Sequence, residues 1–459
     1  MSRRIAAVAV QTALISALWG ANAFAADLVE VLQAAKGHDP EYLAAKSEQS
    51  AGGARRSMGN SLLKPSVNFV AGAGVVNENS STAGAQFSAP NIGSFNNANF
   101  NTSVNFGART RVALQASQPL YDREISVQRD QLQLSADVSD MGMASADQAL
   151  IFRVASGYFE AVKTRAIINL LVQQQNAVSS TYSEISKRQH LGDASKIDLQ
   201  LTAEKVEATK AKLLNAQLAY NNDLLMLREL TGQNIKVNSL DVNFSADGVL
   251  TGSAAEWLAK AKQNNQQLKL LALLEQVKKS EIEKYGSSLS PKVNLIAQLQ
   301  RDQVNGSGDY GTASNTTSSG SLGVQVSVPL TDGYRSAKKD EAFYLAEKAK
   351  LEYEQASLRI EKEINSIWFA LTTGRERIES LSRIVSLSKD RLEATEKNHR
   401  QGSRTTMELL GAQSDYIASK LVLLEAQVNL IVNRVRLSSM AGEISEQDLL
   451  LANRFLSKN

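Results

Sequence analysis

The chain has 459 residues, which is enough for two or three ordinary domains, and its formal net charge is only +3 at pH 7. So small a net charge gives no electrostatic reason to expect a nucleic-acid partner. The sequence contains no cysteine. Disulfide bonds, thiolate metal sites, a cysteine nucleophile and a lipid-modified N-terminal cysteine are therefore excluded.

The first 25 residues have the pattern of a secretory signal peptide. Positions 3 and 4 are arginines, residues 5–18 are largely apolar, and positions 23–25 read Ala-Phe-Ala, a small-x-small cleavage site. We predict that residues 1–25 are removed and that the protein is exported. The alternative is an anchoring helix, but the apolar run is short for a membrane span of ~20 residues. No later stretch has the length and hydropathy of a membrane-crossing helix, so any insertion would use strands.

The chain contains an internal repeat, which usually produces two similar structural halves. From Pro119 onward the second copy follows the first at a distance of 210 residues, and upstream of Pro65 the distance is 226 residues. We therefore predict a first repeat over 26–240 and a second over 254–442. Matched positions include Pro119 and Pro329, Tyr158 and Trp368, Gly192 and Gly402, Gly232 and Gly442, and Pro65 and Pro291.

Long helices dominate both copies. The stretches 122–231 and 332–441 contain no proline and are rich in strong helix formers. Apolar residues recur every seven positions from Met407 to Val435, which is typical of a coiled-coil seam. A helix over 122–190 would be roughly 100 Å long at 1.5 Å per residue. The predicted helices are 27–60, 122–190, 195–231, 254–287, 332–401 and 404–441, and the long ones fold back at Gly192 and Gly402.

Four shorter segments alternate apolar and polar residues, as β-strands with one apolar face do. The predicted strands are 66–76, 109–119, 292–302 and 320–329, with polar loops over 77–103 and 303–320. Two interpretations remain open for these segments alone, soluble hairpins or transmembrane strands. Four strands are too few to close a barrel, and an open edge in lipid leaves backbone groups unpaired. In a membrane, several chains would have to combine their strands.

This arrangement resembles the TolC family of outer membrane channel proteins. The motifs that carry the resemblance are His38-Asp39-Pro40-Glu41, Leu63-Lys64-Pro65, Pro329-Leu330 with Asp332-Gly333, Gly402-Ser403-Arg404-Thr405 through Leu409-Leu410, and the segment 442–449. The resemblance implies an α+β membrane protein in which three protomers give four strands each to one twelve-stranded β-barrel. A hollow α-helical barrel would continue into the periplasm, with an equatorial belt from 241–253 and 443–459.

The same resemblance implies a function in export and no enzymatic activity or cofactor. A homotrimer in outer membrane lipid would serve as an exit duct, together with a periplasmic adaptor and an inner-membrane ABC transporter or other pump. The absence of cysteine favours the non-lipidated branch, so we place secretion of a protein cargo ahead of small-molecule efflux. A periplasmic coiled-coil spacer is the alternative from a different class.

The resemblance also assigns roles around the two glycine turns, which would form the periplasmic tip. Asp198 and Arg404 match the acidic and basic partners that tie neighbouring hairpins together when the tip is closed. His399 replaces the tyrosine of that network, and Glu408 retains one carboxylate where the family has two aspartate rings, the second position being Gly411. The alternatives are a solvated surface pair for Asp198 and Arg404 and a solvent-facing position for His399. We expect no metal site from His38, His190 and His399.

Overall fold

The computed structural model describes residues 27–241, 252–286 and 290–457. The predicted signal peptide 1–25 and nearly all of the predicted linker 241–253 lie outside the described residues. The helices are α1 (Leu28–His38), α2 (Pro40–Ser61), α3 (Arg123–His190), α4 (Lys196–Thr231), α5 (Ala254–Asn264), α6 (Gln266–Lys284), α7 (Gly333–Arg400), α8 (Thr406–Met440) and α9 (Glu446–Asn453). The strands are β1 (Ser66–Ala89), β2 (Gly93–Asp122), β3 (Lys292–Gly308) and β4 (Gly311–Ser327).

The chain divides into two compact units. The helical unit combines the described parts of Met1–Ser50, Ser139–Ala272 and Leu351–Asn459. The strand unit combines Ala51–Val138 and Leu273–Lys350, which include all four strands. None of the described helices has both the length and the hydropathy needed to cross a membrane.

The strands form one antiparallel sheet in the order β1-β2-β3-β4, so β1 and β4 are its edges. The central pairing joins the two copies of the repeat, with Leu114 of β2 opposite Leu299 of β3. Successive side chains point to opposite faces of a strand, so the register gives the sheet one apolar and one polar face. The apolar face includes Phe69, Val112, Leu114, Leu299, Leu322 and Val324. The polar face includes Asn68, Arg111, Gln115, Gln298, Asp302 and Ser321.

The strands are longer than we predicted. Most of 77–103 and 303–320, which we predicted as loops, continues the two hairpins, whereas 328–329 lies beyond the end of β4. These extensions are mostly polar and have no regular apolar alternation, although Phe87 and Phe95 stack in the first hairpin. The backbone ladder nevertheless continues through pairs such as Ser81 and Asn101. The Ser81 hydroxyl donates to Asn101 Oδ1 at 2.8 Å. The extra length of the first copy lies in this hairpin, since β1 and β2 have 24 and 30 residues against 17 in each of β3 and β4.

The single helices predicted over 27–60 and 254–287 are each broken into two. The first break falls at Asp39, because a residue before proline disfavours the helical conformation, and the Asp39 side chain then accepts from the Tyr42 amide at 2.9 Å. Its counterpart in the second copy is Asn265, whose Oδ1 accepts from the Leu268 amide at 3.0 Å. Both copies therefore start the second helix with the same kind of side-chain cap.

The long helices occupy the segments where the sequence placed them, with the seam of α8 buried. Leu410, Ile417, Leu424 and Ile431 are all at most 7% exposed, while Met407 at the start of the predicted seam is 65% exposed. The core of the helical unit also contains Tyr158, whose hydroxyl accepts from the Asn238 amide at 2.9 Å. Burial raises the pKa of Tyr158 to about 12, so this phenol remains protonated.

The glycines that follow α4 and α8 contact the ends of α1 and α5 in the two copies. Gly232 and Gly442 have φ values of +70° and +73°. A Cβ at Gly442 would lie 2.3 Å from the Asn264 carbonyl oxygen, and one at Gly232 would lie 2.8 Å from the His38 ring. In each copy the glycine backbone thus lies directly against the C-terminal end of a short helix, α1 or α5, and only glycine fits there.

We predict that Gly442→Ala destabilises the protein more than Gly402→Ala does. Both positions have positive φ, which costs a side chain roughly 1–2 kcal/mol, but only Gly442 is crowded, whereas a Cβ at Gly402 meets nothing within 4 Å. Overpacking adds about 1–3 kcal/mol. Thermal unfolding of the detergent-purified variants, followed by circular dichroism, measures the difference in Tm. Equal losses in the two variants would contradict the contact.

Candidate functional site

The two turns predicted to form the tip end α3 and α7 in the same way. Gly192 and Gly402 have φ values of +86° and +78°. The Gly192 amide donates to the Gln189 carbonyl, and the next amide, of Asp193, donates to the Arg188 carbonyl at 2.8 Å. These two bonds define a Schellman motif, and Gly402 and Ser403 repeat them with His399 and Asn398. Glycine is needed here for the left-handed conformation.

Each turn then leads into a capped helix. Ser195 caps α4, accepting from the Asp198 amide at 3.0 Å and donating its hydroxyl proton to Asp198 Oδ2 at 2.7 Å. Thr405 caps α8 in a capping box with Glu408, whose Oε2 accepts from the Thr405 amide at 2.8 Å. The two predicted carboxylates, Asp198 and Glu408, therefore occupy equivalent third positions of their helices.

The structure does not join Asp198 and Arg404, the pair to which the family resemblance assigns a gate. Arg404 Nη1 donates instead to Glu408 Oε1 at 2.6 Å. Within the described residues Asp198 makes no ion pair, and its carboxylate bonds only to the Ser195 hydroxyl. Any link between Asp198 and Arg404 has to compete with the Arg404–Glu408 pair, which is exposed and adds little stability.

Glu408 is held in its ionised form by three donors. The Thr405 backbone amide has the largest effect in lowering the pKa of Glu408 below its usual value, followed by the Arg404 guanidinium and the Thr405 hydroxyl. The negative charge of Glu408 is accordingly offset by Arg404 on the same chain. Glu408 thus contributes less to the local negative potential than an unpaired carboxylate would.

The alternative interpretation of His399 as a solvent-facing residue does not hold in the structure. His399 is only 4% exposed, and its Nε2 lies 3.4 Å from the Thr406 hydroxyl. His399 lies in the last turn of α7 and packs against Thr406, the first residue of α8. The start of α8 therefore buries its side chain. His190, at the other turn, hydrogen bonds through Nδ1 to the Ser186 carbonyl at 2.7 Å. Across 27–241, 252–286 and 290–457, no three His, Cys, Asp or Glu side chains are placed to hold a metal ion.

The polar face of the sheet also carries a charged cluster that was not predicted from the sequence. The carboxylate of Asp302 accepts from Arg111 Nε at 2.8 Å and from Arg109 Nε at 3.2 Å. The spacing of the two arginines by two residues in a predicted strand is a signal that they share a face. The pairing of β2 with β3, which brings Asp302 to them, could not be read from that spacing.

The fold is that of an outer membrane channel protein with long helices and a four-stranded sheet. The family model for "Outer membrane efflux protein" matches residues 31–233 and 257–443, which are most of both copies of the repeat. The chain belongs to this family. It is accordingly an outer membrane protein that acts as an efflux or secretion channel and not as an enzyme, and its helical part lies in the periplasm.

Individual relatives extend over nearly the whole chain. The outer membrane protein TolC of Vibrio cholerae is 25% identical over 444 residues, covering 96% of this chain and 95% of its own. The alkaline protease secretion protein AprF of Pseudomonas aeruginosa is 23% identical over 443 residues, covering 95% and 89%. The crystal structure of the Campylobacter jejuni CmeC outer membrane channel shares the fold, with a TM-score of 0.74 at 14% identity, covering 94% of this chain and 90% of CmeC.

Proposed function

We propose that this protein is the trimeric outer membrane exit duct of a type I protein secretion system. Members of the family work in tripartite systems with an adaptor and a transporter, and homotrimers are typical of the family. The observation that carries the proposal is the sheet itself. It has one apolar face, one polar face, and two edges at β1 and β4 that no described strand covers.

The energetics of those edges support closure of the sheet by several copies. Each unpaired backbone group costs several kcal/mol in lipid, so an open four-stranded sheet is not stable there. If β4 of one protomer pairs with β1 of the next, three copies make twelve strands and leave no edge. The apolar face, with Phe69, Leu114 and Leu299, then contacts lipid, and the polar face lines a water-filled lumen.

A protein cargo is the substrate class we propose. The sequence has no cysteine that could carry a lipid, and AprF is described by its name as a protease secretion protein. The test compares proteins released into the medium by a wild-type strain and by a strain lacking this gene, with complementation. Loss of a specific secreted protein supports the proposal. Unchanged secretion together with greater sensitivity to toxic small molecules would favour drug efflux.

At the tip we propose a gate in which Arg404 exchanges one carboxylate partner for another. In the resting duct Arg404 would leave Glu408 and bind Asp198 of a neighbouring hairpin, forming a charge-assisted bond that docking of the adaptor and transporter can break. The support is that the Asp198 carboxylate makes no ion pair within the described chain, and that Arg404 is exposed and pairs with a single carboxylate, that of Glu408. His399, buried against Thr406, would hold the turn that presents Arg404.

We predict that Glu408→Gln lowers the preference of the channel for cations. Glutamine can keep the capping box, so the start of α8 is preserved while one negative charge per protomer is lost and Arg404 is uncovered. The reversal potential in planar bilayers under a KCl gradient measures the effect. Glu393→Gln, on the exposed part of α7, is the matched control. An unchanged reversal potential in Glu408→Gln would remove this residue from the selectivity filter.

A further inference from the structure

The charged side chains of the four strands are few and unevenly distributed. They are Glu78, Arg109, Arg111, Asp122, Lys292, Arg301 and Asp302. Asp122 and Lys292 lie where β2 and β3 meet α3 and contact each other at 3.6 Å. Along the rest of the strands, arginines outnumber carboxylates, and two of the three arginines are on the polar face.

Arg109 and Arg111 share one acceptor atom. Both donate through Nε to Oδ1 of Asp302, which is 8% exposed, whereas the arginine side chains are 36% and 48% exposed. Within the described residues the hydrogen bonds of both arginines are made through Nε, and their η nitrogens make none. Each guanidinium therefore keeps its Nη donors available, and one carboxylate leaves the group with a net positive charge.

The neighbouring strand leaves room for a ligand beside these donors. Arg111 and Arg109 pair with Gly72 and Gly74 of β1, and at neither glycine would a Cβ meet another atom within 4 Å. The resulting notch has a volume of about 320 Å³ and is lined by the two arginines and by 72–76 of β1. Two forked donors facing an unfilled notch match the geometry of a carboxylate or phosphate group.

We propose that Arg109 and Arg111 form an anion-binding site on the inner wall of the duct, with Asp302 as the residue that positions them. The inference rests on the proposed function, because the polar face lines a lumen only when three copies close the barrel. The trimer then carries six arginines against three aspartates at this level. The ring attracts small anions and acidic segments of a cargo from the aqueous lumen. Lipid headgroups are excluded as its ligands because they lie on the other face of the sheet.

The test is ion selectivity of the purified channel in planar bilayers under a KCl gradient. Replacing both arginines, Arg109→Gln with Arg111→Gln, should shift the reversal potential toward that of potassium. Asp302→Asn should shift it the opposite way, toward chloride, because the site then carries more positive charge. Opposite shifts cannot arise from a general loss of stability, so the pair of variants also guards against misfolding of one of them.

Arg301→Gln is the control, because it removes one arginine charge per protomer at the position next to Asp302, on the apolar face opposite Val112. Its reversal potential should equal that of the wild type. Tripolyphosphate, added to the bath as a probe, should block the wild-type channel, lose that block in the double variant, and lose it in high salt.

The outcomes separate this site from the function on which it rests. A conducting wild-type channel whose selectivity and tripolyphosphate block do not change in the double variant and in Asp302→Asn would overturn the site but leave the duct intact. A change in the reversal potential of Arg301→Gln as large as that of the double variant would also overturn the site. Charges on both faces of the sheet would then affect ion selectivity equally. A purified protein with no conductance under any condition would instead overturn the proposed function.

Discussion

Replacing Leu114 with arginine is expected to remove the protein from the outer membrane. Leu114 lies in the middle of the sheet on its apolar face, between Phe69 of β1 and Leu299 of β3. On a lipid-facing strand an arginine near the bilayer midplane costs about 2–4 kcal/mol. The change occurs in every protomer, and each ~1.4 kcal/mol is a factor of ten in an equilibrium. Quantitative immunoblotting of the folded oligomer in isolated outer membranes measures the loss.

The matched control is Gln115→Arg at the next position. Gln115 is on the polar face, opposite Asn68 and Gln298, so its arginine would enter the water-filled lumen. We expect near wild-type levels of oligomer for this variant. If the two variants assemble equally well, the apolar face does not contact lipid, and the orientation of the sheet proposed above is wrong.

Breaking the gate is expected to have the second largest effect. Arg404→Ser removes the cation that we propose to bind Asp198 of a neighbouring hairpin, so the tip should open more often and the single-channel conductance should rise. An exposed ion pair stabilises by up to ~1 kcal/mol. Three such links would shift the balance between closed and open tips by about a hundredfold. Single-channel recording in planar bilayers provides the measurement.

Arg391→Ser is the control for that experiment. Arg391 is an exposed arginine of α7, whereas Arg404 lies in the turn before α8, and Arg391 pairs with Asp415 of the same hairpin at 2.5 Å. Its loss removes equal charge without touching the proposed link between hairpins, so the conductance should stay at the wild-type value. Wild-type conductance in Arg404→Ser as well would mean that Arg404 does not hold the tip closed and makes only solvated surface contacts, such as its pair with Glu408.

The long helices could be predicted because their signal is local and repeated. A stretch without proline, rich in helix formers and ended by glycine, specifies its own limits, so α3 and α7 begin one residue from the predicted positions. The heptad pattern likewise identified the buried stripe of α8 from Leu410 onward. The repeat strengthened the prediction, because the turn glycine occurs at equivalent positions of both copies, as Gly192 and Gly402.

Features set by pairing or by tertiary packing could not be predicted in the same way. The strand extensions are mostly polar, so a regular pattern of apolar alternation ends before the ladder does. The break at Asp39 was visible in the proline that follows it, but the equivalent break at Asn265 has no proline. His399 is a polar residue in a sequence rich in charge, and only the return of α8 against it explains its burial.

The candidate site residues also divide into those set by local sequence and those set by strand pairing. The turn glycines and the cap at Thr405 follow from local sequence, because cap and turn geometry involve neighbours within a few positions. The preference of Arg404 for Glu408 involves residues four apart on a helix and is local as well. The Arg109, Arg111 and Asp302 cluster is not local, since it needs the register between β2 and β3.

Three chains are proposed to close one sheet, and cross-linking of the two sheet edges tests this closure most directly. The chain has no cysteine, so Asn68→Cys on β1 and Gln325→Cys on β4, both exposed on the polar face, provide unique reactive groups. A short bis-maleimide added to outer membranes should produce a covalent species of three chains and none larger. A link confined within single chains, with β1 joined to β4 of the same copy, would contradict the account.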